Sequence, residues 1–111
     1  MLKNINRLRK DAEIRRVFKD GKYLKSENFS LTWRKNFKII NRFAIVVSTK
    51  VEKRSARRNA LKRQMREVIR ITEMSIGYDI VLAAKHYPSW PLSQKKIITE
   101  LEKLFSRVTT R

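Results

Sequence analysis

Residues 55–72, SARRNALKRQMREVIRIT, carry the clearest periodic pattern in the chain. At about 100° per residue, the apolar positions of this stretch gather on one side of a helix. These positions are Leu61, Met65, Val68, Ile69 and Thr72. We therefore predict a helix over residues 55–72 with this side against the core.

The opposite side of the predicted helix is basic. An arc of about 100° holds five polar side chains, which we call the basic ridge. The basic ridge consists of Asn59, Lys62, Arg63, Arg66 and Arg70. Residues 50–70 contain nine basic and two acidic residues, a local net charge of +7. Arginine donates paired hydrogen bonds to phosphate, and free N–H groups in the first turn near residues 56–58 also favour anions.

A solvated helix face is the plainer interpretation of such a ridge. The whole chain argues against it, because 28 Lys and Arg against 10 Asp and Glu give a net charge of +18 in 111 residues. Charge of one sign at this density is self-repelling unless a polyanion neutralises it. Nucleic acid is the leading partner, since cations that bind a phosphate backbone release its condensed counterions. Anionic membrane is the weaker candidate.

The chain shows no sign of a membrane span or a secretory signal. Its longest apolar runs, 43–47 and 80–84, have five residues each, against the ~20 that a span needs. The first residues, MLKNINRLRKD, are basic but are not followed by an apolar stretch. We therefore expect a cytoplasmic location, which the absence of cysteine fits.

Side chains for protein-based catalysis are scarce. Without cysteine, thiol nucleophiles and cysteine-based zinc sites are excluded. The single histidine, His86, lies beside a loop that contains prolines and has no Ser or Asp motif near it. We expect no catalytic residue and no metal held by the protein alone.

Local patterns predict the elements before the central helix. Residues 11–19 favour a helix, with Asp11 as N-cap and Gly21 as its end. Alternation within 23–33 predicts strand structure, with Phe29, Leu31 and Trp33 on one face. Residues 34–41 are interpreted as a hairpin turn with its flanks, and residues 43–48 as a strand covered on both faces.

Two elements are predicted after the central helix. Residues 79–84 favour a strand, and residues 93–108 favour an amphipathic helix capped by Ser93. The core positions of that helix are Ile97, Ile98, Leu101, Leu104, Phe105 and Val108. The order is α-β-β-β-α-β-α, and no linker composition divides it, so we predict one α+β domain over residues 1–111.

Four segments resemble one known family. Residues 56–63, ARRNALKR, resemble the motif Ala-x-x-Arg-Asn-Arg-hydrophobic-Lys-Arg of the bacterial ribonuclease P protein component, with Ala60 at the position of its second Arg. Residues 7–10, RLRK, with 17–21, VFKDG, are similar to the family's first helix. FAIVVSTK at 43–50 and YDIVLAAK at 78–85 are similar to the strands before and after its central helix.

The resemblance implies a fold and a division of labour. The fold has a left-handed β-α-β crossover through the central helix. An RNA subunit, with magnesium ions, cleaves precursor tRNA at its mature 5′ end. The protein binds that RNA, for which the resemblance and the charge pattern together select Arg57, Arg58 and the basic ridge.

The resemblance also implies a cleft for the 5′ leader of the precursor, between the first helix and the sheet. Phe18 matches one of the family's leader-binding aromatic residues, although a core position would also suit it, and Lys50 is an electrostatic candidate. Ile14 and Thr32 stand where relatives often have aromatic residues, so we expect base stacking on the leader either to be weaker here or to move to Tyr23 or Trp33.

Three other functions remain open. A structural or ribosome-associated RNA-binding protein would have the same composition and would lack processing activity. A peripheral membrane protein would need a free apolar face, which the sheet requires here. Double-stranded DNA readout lacks a recognisable motif spacing.

Overall fold

The computed structural model describes residues 7–8, 10–71 and 77–109. The three helices and four strands of this part of the chain follow the predicted order. They are α1 (Asp11–Asp20), β1 (Lys22–Lys25), β2 (Phe29–Lys35), β3 (Arg42–Val46), α2 (Ser55–Ile71), β4 (Tyr78–Ala84) and α3 (Gln94–Thr109). The α+β class and the order α-β-β-β-α-β-α are therefore confirmed.

The strands form one mixed sheet in the order β1-β2-β4-β3. β1 pairs with β2 and β2 with β4, both antiparallel, whereas β3 runs parallel to β4. The chain thus passes from β3 through α2 to the neighbouring parallel strand, as a β-α-β crossover requires. The hand of this crossover stays a prediction.

The prediction of a hairpin turn at residues 34–41 is wrong. β2 extends to Lys35, and β4 lies between β2 and β3. β4 takes the central place because Ile80, Val81 and Leu82 are all 0–1% exposed and need cover on both faces. β3 is an edge strand and is covered less fully than predicted, with Val46 exposed; residues 7–8 run beside its edge.

The sheet separates two apolar clusters. The larger one packs α2 and α3 on one face and includes Phe29, Leu31 and Trp33, as their alternation predicted. Every predicted core position of α3 belongs to it, with Ile98 only partly buried, as do Leu61, Met65, Val68 and Ile69 of α2. Thr72 lies outside the described residues. The smaller cluster packs α1 on the other face, through Leu8, Val17, Ala44 and Val81.

Two of the three predicted helix-end residues have the predicted role. Asp11 is not the N-cap of α1: Lys10 occupies that position without a capping side chain, and Asp11 lies in the first turn. Gly21 ends α1 as predicted, and a Cβ there would lie 2.3 Å from the Val17 carbonyl oxygen. Before α3, the Ser93 hydroxyl accepts a hydrogen bond from the N–H of Lys96 at 3.4 Å.

A partly buried group of ion pairs links α1 to the sheet. The Arg42 side chain donates to both carboxylate oxygens of Asp79, at 2.8 and 2.7 Å, and lies 2.7 Å from the Glu13 carboxylate of α1. The Asn36 amide also donates to Asp79, at 2.9 Å. Burial would raise the pKa of Asp79, but the hydrogen bonds from Arg42 and Asn36 outweigh it and hold the pKa below its usual range.

Candidate nucleic-acid interface

The basic ridge lies on the outer side of α2. Leu61, Met65 and Val68 of the same helix are fully buried, so the residues opposite them face away from the core. Asn59, Arg63 and Arg70 are exposed, whereas Lys62 and Arg66 are partly exposed. The helical periodicity therefore placed these five residues correctly.

Most charge on the ridge is left without an internal partner. Among the residues that the structure describes, Lys62, Arg63 and Arg66 form no salt bridge. Arg70 differs, because its guanidinium donates two hydrogen bonds to the Glu67 carboxylate one turn earlier. The hydrogen bonds from Arg70 lower the pKa of Glu67. The central part of the ridge thus offers three cations to an outside anion.

Arg58 is engaged by the protein's own backbone. Its Nη1 donates to the carbonyl oxygens of Glu52, at 3.1 Å, and Lys53, at 2.8 Å. These carbonyls belong to the segment that leads from β3 into α2. Arg58 therefore fixes the entry to the helix, a role that its place in the sequence motif does not reveal.

Arg57 packs against an aromatic residue from a distant loop. Its guanidinium carbon lies 4.6 Å from the centre of the Trp90 ring. Its Nη1 is 4.0 Å from the Glu52 carboxylate, and its backbone carbonyl accepts a hydrogen bond from the Tyr87 hydroxyl at 2.7 Å. Sequence reasoning missed Trp90 because the contact spans 33 positions, and only its place between two prolines marked it as a loop residue.

The opposite face of the sheet carries exposed apolar side chains beside α1. Leu24 points into the larger cluster, so its neighbour Tyr23 lies on the α1 side, where it pairs in register with Thr32. Tyr23 and Phe18 are both 55% exposed, and Val46 of β3 is exposed on the same face. We call these three residues the α1-side patch. Phe18 therefore does not occupy the core position that its helical spacing also allowed.

Trp33 does not belong to this patch, so its prediction as a leader-binding residue is wrong. It is 3% exposed and lies in the larger cluster, on the face that α2 and α3 cover. The same alternation that put Phe29 and Leu31 in the core puts Trp33 there. Thr32 is buried on the α1 side, and Ile14 packs against the smaller cluster.

Two other predicted positions are exposed. Lys50 lies in the turn after β3, and His86 lies in the loop after β4.

Within residues 7–8, 10–71 and 77–109, no group of three or more His, Asp or Glu side chains is placed to hold a metal ion. Every helix in these ranges is too short or too polar to cross a membrane.

Comparison with known proteins finds a family model and relatives that match most of the chain. The family model described as Ribonuclease P matches residues 2–109. The ribonuclease P protein component of Thermotoga maritima is 38% identical over 102 residues, which cover 90% of this chain and 85% of the relative. That of Synechococcus elongatus is 32% identical over 112 residues, which cover 96% and 92%.

Solved structures agree with the sequence relatives. The RNase P protein from Thermotoga maritima superimposes with a TM-score of 0.82 at 33% identity, covering 91% of this chain and 96% of the other. The RNase P protein of Staphylococcus aureus has a TM-score of 0.82 at 24% identity, covering 93% and 94%, which shows the shared fold.

Proposed function

The chain belongs to the ribonuclease P protein family, as a subunit of the endoribonuclease that processes tRNA, and from this premise we propose that its two surfaces bind two different RNAs. The basic ridge binds the catalytic RNA subunit. The α1-side patch, with Lys50, binds the 5′ leader of precursor tRNA. The observation that carries this proposal is the separation of the two surfaces by the sheet.

The chemistry of each surface fits its proposed RNA. Lys62, Arg63 and Arg66 suit the phosphates of a folded RNA, because they are cations without an internal partner in the described part of the chain. Phe18 and Tyr23 suit a single strand, whose unpaired bases can stack on aromatic rings. The folded RNA subunit and the single-stranded leader of its substrate can therefore be bound at the same time.

Arg57, Arg58 and Arg70 have a mixed role in this proposal. Each is already bound within the protein, so the RNA gains less from these residues than from the centre of the ridge. They add to the positive potential around α2 and complete the predicted RNA-subunit surface.

We further propose that bond cleavage and magnesium binding belong to the RNA subunit. The described acids do not form a cluster that fits a magnesium ion held by protein alone. Two acids are committed to the fold: the buried Asp79 binds Arg42, and the partly buried Glu100 binds Ser26 and Asn28. Magnesium then binds through RNA phosphates, and the protein contributes binding and orientation.

The test is 5′ processing of precursor tRNA by the cognate catalytic RNA at low magnesium, with and without the protein. We expect strong stimulation. Salt-sensitive RNA binding without stimulation would indicate a structural RNA-binding protein instead.

A second measurement separates the two surfaces. Phe18→Ala and Tyr23→Ala should weaken the affinity of the assembled enzyme for precursor tRNA by about 1–3 kcal/mol for each stacked base, and leave its affinity for mature tRNA unchanged. Phe37→Ala, in the exposed loop between β2 and β3, is the matched control for loss of an exposed aromatic ring. Equal weakening for precursor and mature tRNA would overturn the leader assignment.

A further inference from the structure

Trp90 forms an exposed aromatic surface that lies beside the first turn of α2. It lies in the loop between β4 and α3, and 48% of the residue is exposed. The Arg57 guanidinium, from the first turns of α2, covers part of the ring at 4.6 Å from its centre. The loop therefore places a flat apolar surface beside the cation-rich residues 50–70, which we call the basic segment.

The ring is held in place from two sides. Tyr87 lies 6.5 Å from Trp90 between ring centres, at an interplanar angle of 36°. The Tyr87 hydroxyl donates to the backbone carbonyl of Arg57, which ties the loop to α2. A ring fixed in this way loses little conformational entropy when a ligand stacks on it.

The surroundings of Trp90 are cationic. Lys53 and Arg54 are exposed just before α2, and Arg57 is 31% exposed. The Glu52 carboxylate lies 3.2 Å from Nη1 of Arg54 and 4.0 Å from Nη1 of Arg57, so these two cations share one acid. An aromatic ring among excess cations has the chemistry that binds an unpaired nucleotide, whose base stacks while its phosphate meets the charge.

We propose that Trp90 and Arg57 form a stacking site for one unpaired nucleotide of the catalytic RNA subunit. The base stacks on the exposed part of the indole ring, and Arg57 contributes a cation to the adjacent phosphate. This site rests on the proposed function, to which it adds a contact outside the basic ridge.

The position of Trp90 favours the RNA subunit over the leader. Through Arg57 and Tyr87 it is attached to α2, the helix that carries the basic ridge. The leader candidates Phe18 and Tyr23 lie on the α1 side of the sheet. An RNA that reaches the N-terminal end of α2 can contact both the ridge and Trp90.

The first test measures affinity for the cognate catalytic RNA. Trp90→Ala should weaken binding by about 5- to 140-fold, the range for loss of one base–aromatic stack. Trp90→Phe keeps a ring and should stay within about fivefold of the unchanged protein. His86→Ala removes an exposed ring from the same loop and should change affinity less than about twofold.

The second test uses the fluorescence of Trp90 in the unchanged protein. The chain has two tryptophans, and Trp33 is 3% exposed, so Trp90 should dominate the signal that changes on binding. Subtracting the emission of Trp90→Phe isolates it. Catalytic RNA should quench this emission and protect it from acrylamide, which a purely structural Trp90 would not show.

The outcomes separate this site from the proposed function. If the unchanged protein does not stimulate processing, the proposed function fails. If it stimulates and RNA leaves the Trp90 emission unchanged, the stacking site alone is wrong, even if Trp90→Ala destabilises the fold. A loss of affinity confined to precursor tRNA would also overturn the site, because it would assign Trp90 to the substrate.

Discussion

Arg42 and the centre of the basic ridge carry the same charge in opposite surroundings. Arg42 is 18% exposed in its side chain and contacts two carboxylates, Asp79 and Glu13. Arg63 is exposed and, within the described ranges, has no salt bridge. With 10 acids for 28 cations, most cations must remain unpaired, and the positions of the acids decide which ones. The charge around Arg42 stabilises the fold, whereas the charge on the ridge is left for a partner.

Of the changes considered, added salt should produce the largest difference between the two regions: RNA affinity, which depends on the ridge, should fall steeply, whereas the stability that the Arg42 pair provides should not. If the ridge and its neighbours contact about five to eight phosphates, log K for RNA should fall against log salt with a slope of roughly −4 to −7. Between about 0.1 and about 0.5 M salt, this amounts to a loss of about 10³- to 10⁵-fold in affinity. The urea midpoint of the free protein should not fall over the same range, because the Arg42 pair is shielded from ions and salt screens the repulsion among the other cations. A flat binding response would contradict the electrostatic role of the ridge.

The Arg42 pair should dominate stability. Asp79→Asn should lower the free energy of unfolding by about 3 kcal/mol, because it leaves a mostly buried guanidinium without its main partner. Urea unfolding of the free protein measures this. Glu13→Gln is the control, since it removes the more exposed carboxylate and should cost less than about 1 kcal/mol. Equal losses would show that Asp79 is no more important than a surface acid.

The same pair should make the fold sensitive to acid. The pKa of Asp79 is lower in the folded protein than its usual value, so the stabilisation is complete above the unfolded pKa of about 4. It is lost as pH falls through the folded pKa. Glu100 adds to this in the same direction: burial raises its pKa, and hydrogen bonds from Ser26 and Asn28 more than offset the effect. Unfolding free energy measured from pH 7 to pH 3 should fall less steeply in Asp79→Asn.

The sequence predicted local structure well because local structure depends on near neighbours. The periodicities of α2 and α3 and the alternation at Phe29 and Leu31 report burial over a few residues, and Gly21 marks a chain reversal. The same alternation also predicts that Trp33 is buried, as it is. The prediction that Trp33 stacks on leader bases did not take this into account.

Contacts between distant residues could not be predicted in the same way. The insertion of β4 between β2 and β3 depends on pairing across more than 30 positions. Glu100 holds the turn after β1 from more than 70 positions away, through Ser26 and Asn28. Within the basic segment, the difference between Arg57, Arg58 and the ridge arises from Trp90 and from backbone carbonyls, neither of which a motif contains.

On the ridge, removal of one cation should affect binding and leave the fold intact. Arg63→Ala should weaken binding of the catalytic RNA by about 1–2 kcal/mol, with less than about 0.5 kcal/mol change in unfolding free energy. Filter binding and urea unfolding provide the two numbers. Lys103→Ala, an exposed cation on α3, controls for net charge and should have a smaller effect on binding. A loss below about 0.3 kcal/mol would make Arg63 part of a solvated face.

Arg58 should lie between the two regions, because it belongs to the basic segment but is bound by the protein. Its hydrogen bonds to the carbonyls of Glu52 and Lys53 hold the chain that enters α2, so Arg58→Ala should reduce unfolding free energy by about 1 kcal/mol. Its effect on RNA affinity, measured under conditions where the variant is fully folded, should be smaller than that of Arg63→Ala. Since Lys offers one ammonium group in place of a planar fork, Arg58→Lys should keep the net charge and still lose part of the stability. Arg58→Ala could instead leave stability unchanged and reduce RNA affinity as much as Arg63→Ala does. Arg58 would then act as a ridge residue. The contrast between cations used by the fold and cations left for RNA would not hold within α2.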